Sequence, residues 1–182
     1  MPIFIALKIA DERLERIAEL FKDLDFNVVP VELQHLTLLF IGDYSGKFLE
    51  KIVKLLSDVE VTLPDILKPT GISLLPPSKG THIVIEVLDE DNLLYKARKV
   101  LEKKLSKHIE LRDRYEFKPH ITIARRLKPL NNKAYTRITR ILQNASKMLP
   151  RFIVVHDLYL YETSRNGTYI PLTRIKVKWT KI

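Results

Sequence analysis

Two periodicities alternate along this chain. Residues 3–9 (IFIALKI) form an apolar run that predicts a first strand. From Asp11, a predicted helix N-cap, Leu14, Ile17, Ala18, Phe21 and Leu24 recur at helical spacing. Residues 35–41 (HLTLLFI) predict a buried strand, and 46–57 a helix with Phe48, Leu49, Ile52, Val53 and Leu56 on one side. Strands fit 61–75 and 81–88, joined by the turn residues Pro76-Pro77-Ser78-Lys79-Gly80. The order then repeats. A helix is predicted from Asp91 to about 107 with Leu94, Ala97, Leu101 and Leu105 inward, then a strand over 120–125 (HITIAR). A helix over 132–146 and two strands, 151–162 and 169–178, hinged at Ser164-Arg165-Asn166-Gly167, complete the pattern.

Helix, His-bearing strand, helix and hairpin thus occur twice, which is the pattern of a duplicated unit. Leu88-Asp89-Glu90-Asp91-Asn92 reads as a tight junction and not as a tether. We expect one two-lobed domain over 1–182, with repeat units of approximately 1–90 and 91–182. Its class is α+β, with two mostly antiparallel sheets facing a central cleft and the helices outside.

The strands that carry chemistry are His35-Leu36-Thr37-Leu38 and His120-Ile121-Thr122-Ile123. Residues i and i+2 of a strand face the same way, about 6.5–7 Å apart. Each His/Thr pair therefore shares one face, and the aliphatic residues between them take the other. With 11 threonines in 182 residues, the five histidines would give about 0.3 such pairs by composition. Two, at matching places in a repeated unit, form a signal. Two imidazoles with ordinary pKa near 6.5 can divide the labour of phosphodiester cleavage. One accepts a proton from attacking water and the other protonates the departing sugar oxygen. The threonine hydroxyls donate to phosphate oxygens as charge builds on them. This scheme needs no metal and no cofactor, and neither strand sets a carboxylate beside its histidine to complete a three-ligand zinc site.

Composition narrows the partners. At 46% hydrophobic and 29% charged the chain is not of the disordered class. It has no cysteine, which excludes disulfides, thiolate nucleophiles and Cys-ligated metals. Its net charge of +9 divides into −6 over residues 1–90 and +15 over 91–182. That asymmetry fits a polyanion such as nucleic acid, although solvated helix faces carry such charge in many proteins. The N-terminus has no basic n-region, and no apolar run approaches the roughly 18–20 residues of a membrane span. A cytoplasmic monomer is the expectation.

HLTLLF and HITIAR resemble the paired motifs of the two-histidine phosphoesterases. The closest likeness is to their RNA 2′,3′-cyclic phosphodiesterase branch, historically called 2′-5′ RNA ligases (LigT/ThpR). The likeness extends to the IFIAL strand, to Leu158-Tyr159-Leu160-Tyr161-Glu162 and to Tyr169-Ile170-Pro171-Leu172. It implies an RNA 2′,3′-cyclic phosphodiesterase that opens the cyclic phosphate of RNA ends, tRNA fragments among them, to a 2′-phosphomonoester. It also implies a bilobal fold without metal. By position, His35 matches the proton donor, His120 the acceptor, Thr37 and Thr122 the phosphate-binding threonines, and Arg125 the motif arginine near the nucleotide. Simple alternation puts Arg125 on the face opposite His120, so contact requires a bulge or a strand end. Attack by a ribose hydroxyl in place of water would form a 2′-5′ bond. The alternative from another class is a module that binds RNA ends without turnover.

Other signals rank lower. Phe4, Tyr161 and Tyr169 are candidates to hold a base, as single-stranded RNA often stacks on aromatic rings. Arg112, Arg114, Lys118 and Arg126 flank the second motif and are candidate phosphate contacts. Gly42–Lys47 lacks the spacing of a P-loop. His82, His108 and His156 read as structural.

Overall fold

The computed structural model describes residues 1–113 and 115–182, so Arg114 lies outside the described residues. The first strand, β1 (Pro2–Lys8), sends Ile3, Ile5 and Leu7 into the main core and Phe4 and Ala6 to the other face. Helix α1 (Glu12–Ala18) follows its predicted cap: the Asp11 carboxylate accepts from the Arg13 N–H. The periodic pattern continues as a 3-10 turn over Glu19–Leu24. Next come β2 (Asn27–Val28), β3 (His35–Asp43) and α2 (Gly46–Ser57).

The two long strands expected at 61–75 and 169–178 each break in two. β4 (Glu60–Pro64) parts from β5 (Ile66–Leu75) at Asp65, and β10 (Tyr169–Arg174) parts from β11 (Lys176–Thr180) at Ile175. β4 and β11 pair in parallel as a small separate sheet. Likewise 151–162 divides into β8 (Ile153–Val154) and β9 (Leu158–Thr163). The remaining elements are β6 (His82–Leu88), α3 (Leu93–Ser106), β7 (His120–Arg125) and α4 (Asn132–Ser146). Helix α3 starts two residues later than periodicity predicts. Asp89 caps it by accepting from Leu94 and Tyr95 N–H at 2.7 and 3.0 Å.

The main sheet runs β10-β9-β1-β3-β7-β6-β5-β8, with β2 beside β7. It is antiparallel at every pair. Two four-strand arms meet where β3 touches β7 at one bridge, Leu36 to Ile121. Helices α1, α3 and α4 lie against β7, β3 and β5, over a continuous aliphatic core. The arms do not coincide with the two halves of the sequence. The β9–β10 hairpin from the C-terminal half completes the arm of β1 and β3, and the β5–β6 hairpin from the N-terminal half completes the arm of β7.

Candidate active site

His35 and His120 each open a central strand, and local bonds fix both rings in the same way. His35 Nδ1–H donates to the Leu33 carbonyl at 2.8 Å, and His120 Nδ1–H to the Lys118 carbonyl at 2.6 Å. A carbonyl only accepts, so each ring carries a proton on Nδ1 and keeps Nε2 for exchange with a ligand. Just before His35, the Gln34 side chain is 1% exposed. Its amide accepts from the Asp11 N–H at 2.9 Å and donates to the Asp11 carbonyl at 3.1 Å, which pins the start of β3 to the entry of α1.

The bridge between Leu36 and Ile121 sets the rest of the site. Both residues are fully buried on the helix side. Carrying the antiparallel register one step either way sets His35 across from Thr122 and Thr37 across from His120. Residues opposite one another in a sheet share a face, so all four polar side chains, each half-buried, stand together in the cleft.

Both strands then bulge at the same place. In β3 Leu38 is extra, because Thr37 pairs with Ala6 and Leu39 with Ile5. In β7 Ile123 is extra, because Thr122 pairs with Val84 and Ala124 with Ile83. An extra residue reverses the facing of everything after it. Arg125 therefore comes to the same face as His120, through the bulge that its contact requires. Its Nη1–H donates to the Tyr169 hydroxyl of the opposite arm at 3.2 Å, while its Nε is buried with no partner among the described residues.

The bulges free the outer edge of each strand, and the two edges are satisfied differently. On β7, the Val29 N–H donates to the Ile123 carbonyl at 2.8 Å, beside β2. On β3, charged side chains replace a strand. Arg98 Nη1–H donates to the Leu38 carbonyl at 3.0 Å and to Asp113 at 3.1 Å, and the same Asp113 oxygen accepts from the Phe40 N–H at 3.0 Å. Arg98 Nε–H donates to Glu102 at 2.8 Å. Arg98 falls on the apolar stripe of its helix, four residues after Leu94 and three before Leu101. Pattern reading misses the network because its partners Leu38 and Asp113 are distant in sequence.

Phe4 lies on the cleft face but is only 6% exposed. His35, Tyr161 and Tyr169 pack around its ring at 5.2–5.6 Å, so it backs the imidazole instead of offering a face to a base. Tyr169 also meets the His35 ring edge-on at 4.8 Å. Burial beside Tyr159 and Asp157 pushes the Tyr161 hydroxyl up to about 12. Among the flanking cations, Arg126 lies over the Phe26 ring on the helix side, Lys118 is exposed toward Glu116, and Arg112 lies against Gly42.

Burial is the main cause that holds His35 low, at about 4. The Leu33 carbonyl opposes it, while the Arg125 guanidinium and the neighbouring His120 add to it. In the free protein at neutral pH His35 is therefore an uncharged imidazole with its lone pair on Nε2. An anion bound beside Arg125 offsets that positive field and makes a charged His35 easier to form.

Two half-buried imidazoles and two hydroxyls stand on facing strands, each ring with Nδ1 tied back to its own backbone, which is the arrangement expected of a two-histidine phosphoesterase. The sequence profile of the 2′-5′ RNA ligase superfamily matches residues 7–167. The chain belongs to that family. Over 130 residues it is 30% identical to an Archaeoglobus fulgidus protein named RNA 2′,3′-cyclic phosphodiesterase, covering 69% of this chain and 72% of the relative. Two solved structures share the fold. E. coli LigT complexed with 3′-AMP superposes with a TM-score of 0.68 at 18% identity, covering 98% of this chain and 99% of that one. A Thermus thermophilus protein gives 0.66 at 20% identity, with 96% and 97% covered. No helix among the described residues is long and apolar enough to cross a membrane.

Proposed function

We propose that the cleft hydrolyses the 2′,3′-cyclic phosphate of RNA ends to a 2′-phosphomonoester, with His120 as proton acceptor and His35 as donor. The observation that carries this reading is the four-residue set formed around the Leu36–Ile121 bridge. Water attacks phosphorus and loses its proton to His120 Nε2. The new P–O bond forms as the bond to O3′ breaks, and O3′ takes its proton from His35 Nε2. Thr37 and Thr122 donate to the non-bridging oxygens, where charge accumulates. Arg125 brings a buried N–H without a partner among the described residues and the positive charge that a phosphate needs.

His35 is held near 4 when the cleft is empty, so its donor role depends on the substrate. The anionic phosphate supplies the negative charge that lets the ring take up a proton. The same anion is recruited by Arg125, which ties binding to protonation.

The test is a short RNA with a 2′,3′-cyclic phosphate end, incubated with the protein in EDTA, with the product resolved by phosphorus NMR. A 2′-phosphomonoester is the expected product. A 3′-phosphate, or no conversion, would overturn the reading. A ribose hydroxyl in place of water gives a 2′-5′ linkage at the same site, and raising the concentration of acceptor ends should reveal it.

The pH dependence gives a second test. The profile of kcat/KM reports the free protein, so the limb set by His35 should fall near pH 4 and not near the ordinary histidine value. The Arg125 cation lowers His35, so Arg125→Gln should move that limb upward whatever it does to the rate. A limb that stays in place would show that the ring does not feel the guanidinium.

A further inference from the structure

The paired registers make the two arms comparable residue by residue. Across from the bulged strands, β1 presents Phe4, Ala6 and Lys8 opposite Phe40, Thr37 and His35. β6 presents His82, Val84 and Glu86 opposite Arg125, Thr122 and His120. His82 thus occupies in its arm the place that Phe4 occupies in the other. The neighbours differ, however. Tyr161 on the outer strand β9 pairs with Phe4 and, with Tyr169, covers it. The partner of His82 on the outer strand β5 is Leu75, which is itself only partly buried.

His82 is consequently a half-buried ring on the cleft face. Its Nδ1 is in hydrogen-bond contact with the Thr81 hydroxyl at 2.9 Å. The turn that delivers it closes at Gly80 with φ +60°, where a Cβ would fall 2.8 Å from Leu130. The ring is therefore presented by a turn that tolerates little change. Burial, with the nearby Arg125 and His120, lowers its pKa against a bond to the Leu75 backbone that raises it, which favours the uncharged ring. The register also locates it: its cross-strand partner Arg125 lies on β7, between β3, which carries His35, and β6.

We propose that His82 is a base-contact residue, on whose imidazole stacks the nucleobase preceding the cyclic-phosphate end. This rests on the reading of the cleft as an RNA-end site. The order along the floor, His/Thr set, then Arg125, then His82, matches the order cyclic phosphate, next phosphodiester, preceding base. His82 lies one pleat beyond Val84, which pairs with Thr122. That places it about 7 Å along β6 from the Thr122 row, in the same row as a guanidinium suited to a phosphate. A neutral ring adds no further charge there, and stacking tolerates any base.

The experiment compares a mononucleoside 2′,3′-cyclic phosphate with a trinucleotide bearing the same end, for wild type, His82→Ala and His82→Phe. Stacking on one ring is worth about 1–3 kcal/mol, or roughly 5- to 150-fold. His82→Ala should therefore lower the ratio of trinucleotide to mononucleotide kcat/KM about tenfold or more, mostly through KM. His82→Phe, which keeps a ring, should restore the ratio to within about threefold of wild type. An unchanged ratio in His82→Ala, or a ratio that Phe fails to restore, overturns the assignment. Failure of the wild type to open either substrate overturns the RNA-end reading itself.

Discussion

His35→Ala and His120→Ala should each lower kcat on a cyclic-phosphate oligonucleotide by about 10²- to 10⁴-fold, the usual worth of a placed proton donor or acceptor. The double variant should fall little further, because the two proton transfers serve one displacement and their losses do not add. Retention of RNA is the companion readout. Thr37, Thr122 and Arg125 do not depend on the rings for their positions: the threonines are set by the strand register and Arg125 by the bulge. Affinity for a non-cleavable end should therefore survive within a few-fold. Full turnover in both single variants would show that the rings move no proton and would sink the two-histidine scheme. A loss of affinity equal to the loss of rate would mean that the rings hold the phosphate instead of moving protons.

Arg98→Ala should cost about 3–5 kcal/mol of unfolding free energy, as removal of one partner from a buried charge cluster does. The Arg98 side chain is 8% exposed and faces Asp113 at 11%. Without the guanidinium, the Leu38 carbonyl loses its donor and Asp113 keeps its charge in a nearly dry site. Arg98→Lys should recover only part of the loss. One ammonium cannot span the Leu38 carbonyl, Asp113 and Glu102 in the forked geometry that the arginine uses. Denaturant unfolding checks the figure, and a change below about 1 kcal/mol would show that the network does not brace the edge. Because Asp113 also holds the Phe40 N–H three residues beyond Thr37, turnover should drop along with stability.

The chemistry of this cleft is written in local pattern, and the geometry that completes it is not. His35-Leu36-Thr37 and His120-Ile121-Thr122 are legible because strand alternation fixes which residues share a face without reference to any partner strand. Helices 46–57 and 132–146 are legible for the same reason, since their periodicity is local. Arg125 requires knowledge of a bulge. Its only trace in the sequence is two apolar residues in a row, Ile123-Ala124, which continuous burial explains equally well. The stretch 61–75 reads as one strand although Pro64-Asp65 is a breaker signal, because that signal does not say that the halves join different sheets. Pairing across long separations decides that. From sequence alone His82 reads as structural, and Phe4 as a candidate base contact that core packing explains better. Burial by partners distant in sequence reverses their prospects: Tyr161 and Tyr169 cover Phe4, while the strand partner of His82 is a partly buried leucine. A repeat places equivalent residues, but it does not say what will cover them.

The crossed hairpins also impose an order in time. β1 is made before the other strands of its sheet, yet one of its edges waits for β9, where Ile3 meets Glu162 and Leu7 meets Leu158. Contacts so far apart in sequence slow folding, and until they form an apolar strand presents an open edge to other chains. The other arm closes sooner, since β5, β6 and β7 pair as soon as they are made. His120 is thus framed while the sheet around His35 still lacks β9 and β10. The aromatic wall behind His35 is set only when Tyr161 and Tyr169 arrive, so the cleft is completed after both of its histidine strands are made.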